Sequence, residues 1–341
     1  MSTKKTVGKY IKKTAKKAVR KKKKQLARKY PIIAFLLFAL VIGVYLSLCA
    51  IDFYEVDVGF EVDLGDANVF ELFAPKNTIE PVPTPSDGEV MFHVIDVGQG
   101  DAILITTSSG NMLVDTSESA AEEQLGEYLK AADVKTLKYL VLTHLDADHI
   151  GNATYVIENF KVDTVVLGLD CVATTKMAKE LMETIDAKDI SVMQVKMGDS
   201  FTLGSLQNTV IAPVEDYSDA NENSIIIKAT YGSTSVMLTG DAEKKSESDM
   251  LKKWSADALK SDILKVGHHG SDSSTTDAFL NAVSPEIAVI SCGEDNKFDH
   301  PKPEILEKLE NKGVVIYRTD IDGSIIFKSD GNQITLVETR K

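Results

Sequence analysis

Two histidines and two aspartates lie within six consecutive residues of the segment THLDADHIGN. They are His144, Asp146, Asp148 and His149. Imidazole and carboxylate groups act as metal ligands and as general acids and bases, and carboxylates this close together repel each other unless positive charge joins them. Divalent cations supply that charge. The spacing therefore predicts a metal site, in preference to a polar helix start capped by Asp148.

The histidines of the chain fall into two groups. Five of the six lie at or just beyond the ends of predicted strands: His144, His149, His268, His269 and His300. Open α/β architectures place ligand sites at strand ends. The sixth, His93, lies in the middle of the apolar strand VMFHVIDV, and this position predicts a structural role in the core.

The elements that position these residues begin at Val90. The strands VMFHVIDV and AILITT are joined by the glycine-flanked turn that contains Gln99 and Asp101, and a helix is predicted over Ala120–Ala132. Further along, a predicted hairpin precedes a charged helix from Ala242 to Leu259, the strand DILKVGHH and a final hairpin. Strand meanders mixed with strand–helix alternation predict two mixed sheets that pack face to face with helices outside.

Two features of this pattern leave alternatives open. His268 and His269 are adjacent, and adjacent residues of a strand face opposite ways, so both contact one site only if the strand ends there. We expect one of them to be a ligand and the other to contact the substrate or support the site. His300 precedes Pro301 and lies in an extended turn, as a substrate contact or as an ordinary loop residue.

These segments resemble the metallo-β-lactamase superfamily. The run from His144 to His149 resembles its H-x-H-x-D-H signature, with Asp146 in place of the middle histidine. Asp115 in MLVDT, Asp241 in LTGD and the histidine pair in LKVGHHGS match other motifs of that family. The resemblance implies an α/β fold, a metallo-β-lactamase-like αββα four-layer sandwich, and a metal-dependent hydrolase.

A narrower resemblance covers residues 90–335. The segments DVGQGDA, NENS, LTGDAE, LKVGHHGS, HPKPEIL and YRTDIDG are similar, in this order, to the extracellular hydrolase domain of ComEC-type competence DNA-uptake proteins. With one long apolar run, the sequence resembles that domain on an anchor rather than a transport channel. The usual third-motif histidine is absent, since no histidine lies between 149 and 268. Asn221, Asn223 or Ser224 falls in its place.

The resemblance and the side-chain chemistry together give a predicted site. The metal ligands are His144, Asp146, Asp148, His149, Asp241 and His269. The catalytic residues are Asp148, His268 and His300, and the supporting residues are Asp115, Gln99, Asp101, Asn223 and Ser224. One ion would take His144 and Asp146, and the other would take Asp148, His149 and one of the adjacent histidines, with Asp241 bridging. Because oxygen ligands favour harder ions, we expect two divalent ions, manganese or zinc, with manganese preferred.

Charge is segregated along the chain. Residues 1–30 hold 14 Lys/Arg and no acid, residues 31–50 hold no charge, and residues 51–341 hold 24 Lys/Arg against 51 Asp/Glu. Twenty apolar residues span a bilayer core of about 30 Å, and basic flanks stay in the cytoplasm. We therefore predict a basic cytoplasmic arm (1–30), a single transmembrane helix (31–50), an acidic, Pro-rich extracellular linker (51–89) and a hydrolase domain (90–341) at the cell membrane. A lipoprotein cleaved at Cys49, a cleaved signal and a buried core helix are the alternatives for the apolar segment.

The predicted function is that of a membrane-anchored extracellular hydrolase, a phosphodiesterase or nuclease acting on DNA through a hydroxide held between two metals. The net charge of −27 on residues 51–341 opposes this substrate, because a polyanion is repelled. Lys260, Lys265, Lys297 and Lys302 would form a small positive rim. A phosphodiesterase for a small or cell-wall phosphoester and a non-catalytic anchored binding module are the alternatives. No obligate protein partner is indicated.

Overall fold

The computed structural model describes residues 81–169 and 171–341. The predicted basic arm, the predicted transmembrane helix at 31–50 and residues 51–80 of the predicted linker lie outside the described residues. Among the residues that are described, no helix has the length and apolar character needed to cross a bilayer. In the described end of the linker, Val82 is buried and its backbone N–H donates to the carbonyl of Ala131.

The strands of the described chain are assembled into two sheets. In chain order they are β1 (Val90–Val94), β2 (Ile103–Thr107), β3 (Gly110–Val114), β4 (Thr136–Val141), β5 (Lys161–Gly168), β6 (Ser191–Val195), β7 (Ser200–Leu203), β8 (Leu206–Ala212), β9 (Ile226–Tyr231), β10 (Thr234–Leu238), β11 (Ile263–Lys265), β12 (Ile287–Ile290), β13 (Val315–Arg318), β14 (Ser324–Ser329) and β15 (Ile334–Arg340). The first sheet has the order β15-β14-β1-β2-β3-β4-β5-β6, and the second has the order β13-β12-β11-β10-β9-β8-β7.

Both sheets are mixed, as the sequence predicts. In the first sheet, β3 to β6 are parallel and the remaining pairs are antiparallel. In the second, β10 to β13 are parallel and β7 to β10 are antiparallel. Parallel neighbours end at the same edge of a sheet, so each sheet presents one edge at which several strand ends meet.

Helices connect the parallel strands, and a last short helix lies between β13 of the second sheet and β14 of the first. They are α1 (Glu122–Ala131), α2 (Ala147–Ile150), α3 (Ala153–Asn159), α4 (Lys176–Ala187), α5 (Lys244–Lys253), α6 (Ala256–Leu259), α7 (Asp277–Val283), α8 (Pro303–Asn311) and α9 (Thr319–Asp322). The prediction of one continuous helix from Ala242 to Leu259 is wrong. The backbone of Trp254 is extended and its indole N–H donates to the carbonyl of Ile211, while Ser255 caps the next helix.

Alternating side chains build three cores that fix the order of the layers. In β2, Ile103 and Ile105 join a core shared with the second sheet, whereas Leu104 packs in a core with α1, α3 and α4. In β10, Val236 faces the first sheet and Met237 packs in a third core with α5 and α7. This period of two is the side-chain alternation of a strand. The layers are therefore helices, sheet, sheet and helices.

Candidate metal centre

The candidate ligands lie in loops that follow the carboxyl ends of parallel strands. Asp115 follows β3 and His144 follows β4, which are parallel neighbours in the first sheet. Asp241 follows β10 and His269 follows β11, which are parallel neighbours in the second sheet. Since parallel neighbours end at one edge, each sheet brings two loops to the site.

Four side chains at this edge form a compact group, which we call the ligand cluster. It consists of Asp148, His149, Asp241 and His269, whose ligating atoms all lie within 4.8 Å of one another. Oδ1 of Asp241 lies 3.3 Å from Nε2 of His149, and Oδ2 lies 3.3 Å from Nε2 of His269. Oδ2 of Asp148 lies 3.6 Å from the same nitrogen of His269. Asp241 thus stands between histidines that come from the two sheets.

Several ligating atoms here are buried without a hydrogen-bond partner. They are Nε2 of His144, Nε2 of His149, Nε2 of His269 and Oδ1 of Asp241. Leaving a buried polar atom unpaired costs about 1–3 kcal/mol, so four such atoms at one place indicate a site that a cation completes. Imidazole nitrogen and carboxylate oxygen are donors for zinc and manganese. The residues present therefore fit a divalent metal.

His149 is oriented by Asp115. Nδ1 of His149 lies 2.8 Å from Oδ2 of Asp115, and Thr143 donates its backbone N–H and its hydroxyl to the same carboxylate at 2.8 and 2.7 Å. Asp115 is fully buried and has a φ of 58°, a left-handed conformation that non-glycine residues seldom adopt. Because Nδ1 is engaged by Asp115, Nε2 is presented to the ligand cluster.

His144 lies beside the cluster and is held by two hydroxyl groups. Its Nδ1 is 3.1 Å from Oγ1 of Thr143 and 3.3 Å from Oγ of Ser224, and its ring centroid is 4.1 Å from that of His149. Ser224 also accepts a hydrogen bond from the backbone N–H of Asp241 at 3.2 Å. One serine hydroxyl thereby ties a candidate ligand of the first sheet to one of the second.

Asp146 is placed differently from the other acids of its motif. It precedes α2, is half-buried, and its carboxylate forms no cap hydrogen bond with that helix. Partial burial, and then the neighbouring charge of Asp148, raise its pKa. Its carboxyl oxygens are not among the four atoms that converge in the ligand cluster. Ligation of one ion by Asp146 together with His144 stays a prediction.

His268 and His269 lie in a turn that follows β11. Both have positive φ values, 47° and 55°, so they do not alternate as strand residues do. Nδ1 of His269 lies 3.0 Å from the carbonyl oxygen of Ser291, and its Nε2 faces the ligand cluster. His268 is partly exposed, with Nδ1 2.9 Å from Oε1 of Glu243 and Nε2 3.7 Å from Oδ2 of Asp241. His269 thus enters the cluster, and His268 lies beside it.

A buried ion pair lies behind His269. Nζ of Lys265 is 2.9 Å from Oδ2 of Asp101, and both side chains are almost inaccessible to solvent. Oδ1 of Asp101 lies 3.5 Å from Nδ1 of His269. The expectation that Lys265 belongs to an exposed positive rim is therefore wrong. A lysine this deeply buried requires a carboxylate partner, and Asp101 is that partner.

Gln99 and Asn223 hydrogen bond to backbone rather than to the ligand cluster. Oε1 of Gln99 accepts from the backbone N–H of Gly293 at 3.4 Å, while its Nε2 is buried and unpartnered. Asn223 accepts from the backbone N–H of Tyr217 at 2.9 Å and donates to the carbonyl of the same residue at 2.5 Å. These bonds support the loops around the site.

His300 is separated from the ligand cluster by His268. The ring centroids of these two histidines are 5.7 Å apart. Burial, and then the positive charges of His268 and His269, lower the pKa of His300 to about 4. Its ring is therefore neutral at pH 7 and can donate one hydrogen bond.

Opposite charges govern the electrostatics of the cluster. Burial disfavours charge on His149 and His269, but Asp241 and other nearby carboxylates raise the pKa of His149 well above its ordinary value and that of His269 to about 9. Against the effect of burial, His269 and His149 hold the pKa of Asp241 well below its ordinary value. The carboxylates thus stabilise positive charge at these nitrogens, and a divalent cation can supply that charge in place of protons.

A cavity of about 510 Å³ opens beside His144. Its apolar lining comes from Leu145, Leu169, Val172, Val214 and Tyr217. Lys196 and Glu215 also line it, and Glu215 is paired with Lys245 at 2.6 Å. The cavity adjoins the site, is lined by loops of both sheets, and is large enough for a small organic group.

Comparison with known proteins decides the family. The family model of the metallo-beta-lactamase superfamily matches residues 95–294, more than half of the chain. The chain belongs to the metallo-β-lactamase superfamily. Every residue of the ligand cluster lies within the matched range. The resemblance predicted from the motifs is thereby confirmed.

Within this superfamily, the chain is related to competence proteins. It is 34% identical to ComE operon protein 3 of Bacillus subtilis over 262 residues, which cover 71% of this chain and 33% of that protein. It is 30% identical to competence protein ComA of Neisseria gonorrhoeae over 258 residues, which cover 75% and 34% respectively. Recombination protein 2 of Haemophilus influenzae is 30% identical over 237 residues, covering 68% and 28%. The chain spans about a third of the length of these relatives.

Sequence reasoning missed several residues that hold the metallo-β-lactamase site together. Thr143 fixes Asp115, Glu243 fixes His268, and the carbonyl of Ser291 fixes His269. The burial of Lys265 could have been predicted, because it is a charged residue at the end of an otherwise apolar strand. Nothing in the sequence spacing marks Thr143, Glu243 or Ser291, since their contacts arise from tertiary packing.

Proposed function

We propose that this chain is a membrane-anchored, extracellular, metal-dependent phosphodiesterase that cleaves DNA. The observation that carries the proposal is the set of buried, unpartnered ligating atoms on His144, His149, Asp241 and His269. Membership in the metallo-β-lactamase superfamily supports a hydrolase, and similarity to competence proteins supports DNA as the substrate.

The convergence of Asp148, His149, Asp241 and His269 supports a site at which these residues would hold a divalent cation. In this proposal His144 and Asp146 would hold a second cation, as the family resemblance implies. The chemistry that such cations supply when bound is the activation of water for attack and the neutralisation of charge on the phosphoryl oxygens. Manganese is preferred to zinc because carboxylate oxygens make up half of this donor set.

His268 is the residue best placed to move a proton. Glu243 holds its Nδ1, and Ser273 in turn donates to the same carboxylate oxygen at 2.8 Å. An imidazole oriented by a carboxylate is a common general acid–base catalyst. In this proposal Nε2 of His268 delivers a proton to the leaving oxygen of the substrate.

Asp148 and His300 have complementary roles at the open side of the site. The side chain of Asp148 is 30% exposed, so its carboxylate can accept a hydrogen bond from the attacking water and orient it. His300, neutral at pH 7 because its pKa is lowered to about 4, donates a hydrogen bond to a phosphoryl oxygen.

A phosphodiesterase for a small phosphoester is the second candidate function. Two observations favour it: the net charge of −27 on residues 51–341, which repels a polyanion, and the cavity of about 510 Å³ beside His144, which is lined by apolar and polar side chains together. A small ester with an organic substituent would place that substituent in the cavity.

The test uses the full chain, purified in detergent and supplied with manganese or zinc. It is incubated with linear DNA, with a nitrophenyl phosphodiester and with a phosphocholine ester. The proposal predicts hydrolysis of DNA that a chelator abolishes. The matched control is Asp148→Asn, which keeps the shape of the side chain and removes its charge.

Each outcome of this assay separates the candidates. If the small esters are hydrolysed while the DNA remains uncleaved, the substrate is a small phosphoester and not DNA. Tight metal binding without hydrolysis of any ester would leave a non-catalytic binding module. DNA cleavage that persists in Asp148→Asn would assign the activity to a contaminant and contradict the proposal.

The location of the hydrolase domain requires its own test. The uncharged residues 31–50 and the 14 basic residues before them are the support for a single-pass anchor with the carboxyl terminus outside. A reporter that is active only outside the cytoplasm, fused to Lys341, should be active. Activity of a reporter that works only inside the cytoplasm would reverse the proposed orientation.

A further inference from the structure

An exposed aromatic ring lies at the outer edge of the candidate metal centre. Phe298 lies in the loop between β12 and α8, and 44% of its surface is exposed. Its ring is stacked on that of His300, with centroids 5.6 Å apart and an angle of 24° between the planes. Exposing a large apolar ring carries a solvation cost, and nothing in the catalytic steps above uses it.

The ring is connected to the site by a continuous line of histidines. His300 packs edge-on against His268 at 5.7 Å, and Nε2 of His268 lies 3.7 Å from Oδ2 of Asp241. A phosphodiester bound at the ligand cluster would therefore be separated from Phe298 by the rings of His268 and His300, and Phe298 lies on the solvent side. A group joined to that phosphodiester would extend over this edge.

The loop that carries Phe298 is held in place by the side chains of Asn296 and Lys302. Oδ1 of Asn296 accepts from the backbone N–H groups of Phe298 and His300 at 3.1 and 3.0 Å. Its Nδ2 donates to the carbonyls of Gly293 and His300 at 3.0 and 2.6 Å. Lys302 adds a bond from Nζ to the carbonyl of Phe298 at 2.9 Å. The exposed ring is thus preorganised, which lowers the entropic cost of binding.

The charges of this edge do not favour simple attraction of a phosphate backbone. The loop carries Glu294, Asp295 and Asp299 against Lys297 and Lys302, and Nζ of Lys297 lies 4.7 Å from the centroid of the Phe298 ring. Stacking of a nucleobase on an aromatic ring needs no net positive charge and occurs with every base. It is therefore the contact by which an acidic protein can hold a nucleic acid.

We propose that Phe298 is a stacking site for the nucleobase next to the scissile phosphodiester. This inference rests on the proposed phosphodiesterase function and names how that site would bind its substrate. The base must be unstacked to meet the ring, so a single-stranded segment is bound in preference to a duplex. Lys297, which is exposed, can turn from the ring to the adjoining phosphate.

The experiment compares two labelled oligonucleotides of equal length on the manganese-loaded full chain. One carries bases, and the other has the same backbone with abasic positions throughout. Binding is measured by fluorescence anisotropy and turnover in parallel, each at low and at high salt. Phe298→Ala is expected to weaken binding of the base-bearing strand about tenfold and to leave the abasic strand unchanged. Phe298→Trp should retain binding.

The matched control is Leu336→Ala, which removes a similarly exposed apolar side chain (40%) from β15 and should change neither strand. Equal binding of the base-bearing strand by the wild type and Phe298→Ala would overturn the inference, as would an equal loss for the abasic strand. Wild-type protein that prefers neither strand would also overturn it. Base-dependent binding without turnover would instead contradict the proposed hydrolytic function and leave the stacking site standing.

Discussion

His93 and the histidines of the ligand cluster are equally buried, but their ring nitrogens have different partners. In the middle of β1, Nδ1 of His93 lies 3.1 Å from the hydroxyl of Tyr128, and its Nε2 lies 3.3 Å from Oγ1 of Thr106. In His149 and His269, Nδ1 is engaged by protein, while Nε2 is buried without a hydrogen-bond partner.

The difference shows that burial of a histidine does not indicate function by itself. His93 has a neutral hydroxyl at each nitrogen and completes the core, which confirms its predicted structural role. The cluster histidines have an oriented nitrogen that points toward carboxylates. A buried histidine with one nitrogen fixed by the protein and the other unpaired beside carboxylates is a candidate metal ligand.

The largest effect is expected from removing a cluster histidine. His149→Ala should abolish tight binding of one ion and lower hydrolysis about a thousandfold, since metal ions supply several kcal/mol of transition-state stabilisation. Metal content per chain and the rate of phosphodiester hydrolysis are the measurements. His93→Gln is the control and should keep its metal. A His93→Gln protein that is folded but metal-free would contradict the distinction between His93 and the histidines of the ligand cluster.

The buried ion pair gives the next largest effect. Lys265→Met should lower the free energy of unfolding by about 3–5 kcal/mol, because the buried carboxylate of Asp101 then loses its lysine partner. Chemical denaturation measures the change. The double variant Lys265→Met/Asp101→Asn should recover most of the loss. If the double variant is as unstable as the single one, the pair is not the source of the cost.

A smaller effect is expected where the partner of a ligand is changed. Asp115→Asn should weaken metal binding about 10- to 100-fold, because an amide no longer fixes the proton on Nδ1 of His149. Competition with a chelator measures the affinity. Thr106→Val makes the matching change beside His93 and should leave metal affinity unaltered. Equal losses in the two variants would indicate a general effect on folding.

The smallest effect is the change in stability per unit of pH. Burial lowers the pKa of His93 to about 3, so between pH 6.5 and 3 the unfolded chain binds a proton that the folded chain does not. Stability should therefore fall by about 1.4 kcal/mol per pH unit from this residue as the pH decreases. Denaturation of metal-loaded wild type and His93→Gln at several pH values measures this slope. Parallel slopes would show that His93 is not the group responsible.

One part of the site, from His144 to His149, could be predicted from spacing because its residues are local in the chain, whereas Asp241 was predicted from the resemblance to the metallo-β-lactamase superfamily. His144 and His149 follow an apolar strand with acids between them, and strand ends are where mixed sheets gather ligands. The two mixed sheets were predicted because strand meanders are mixed with strand–helix alternation along the chain.

What could not be predicted depends on tertiary packing. The turn that follows β11 sets both φ values of His268 and His269, and spacing alone does not show which ring enters the cluster. Lys265 is charged, and only the position of Asp101 in the fold explains its burial. Trp254 ends α5 because its indole bonds to the carbonyl of Ile211, a contact between residues far apart in the chain.

The metal content of the full chain tests the central claim most directly. The chain is purified without added metal, dialysed against a limiting mixture of manganese and zinc, and analysed for both elements alongside His149→Ala. We predict about two divalent ions per wild-type chain, with manganese in excess, and a clear loss in the variant. A folded wild-type chain that retains no divalent ion would contradict the account.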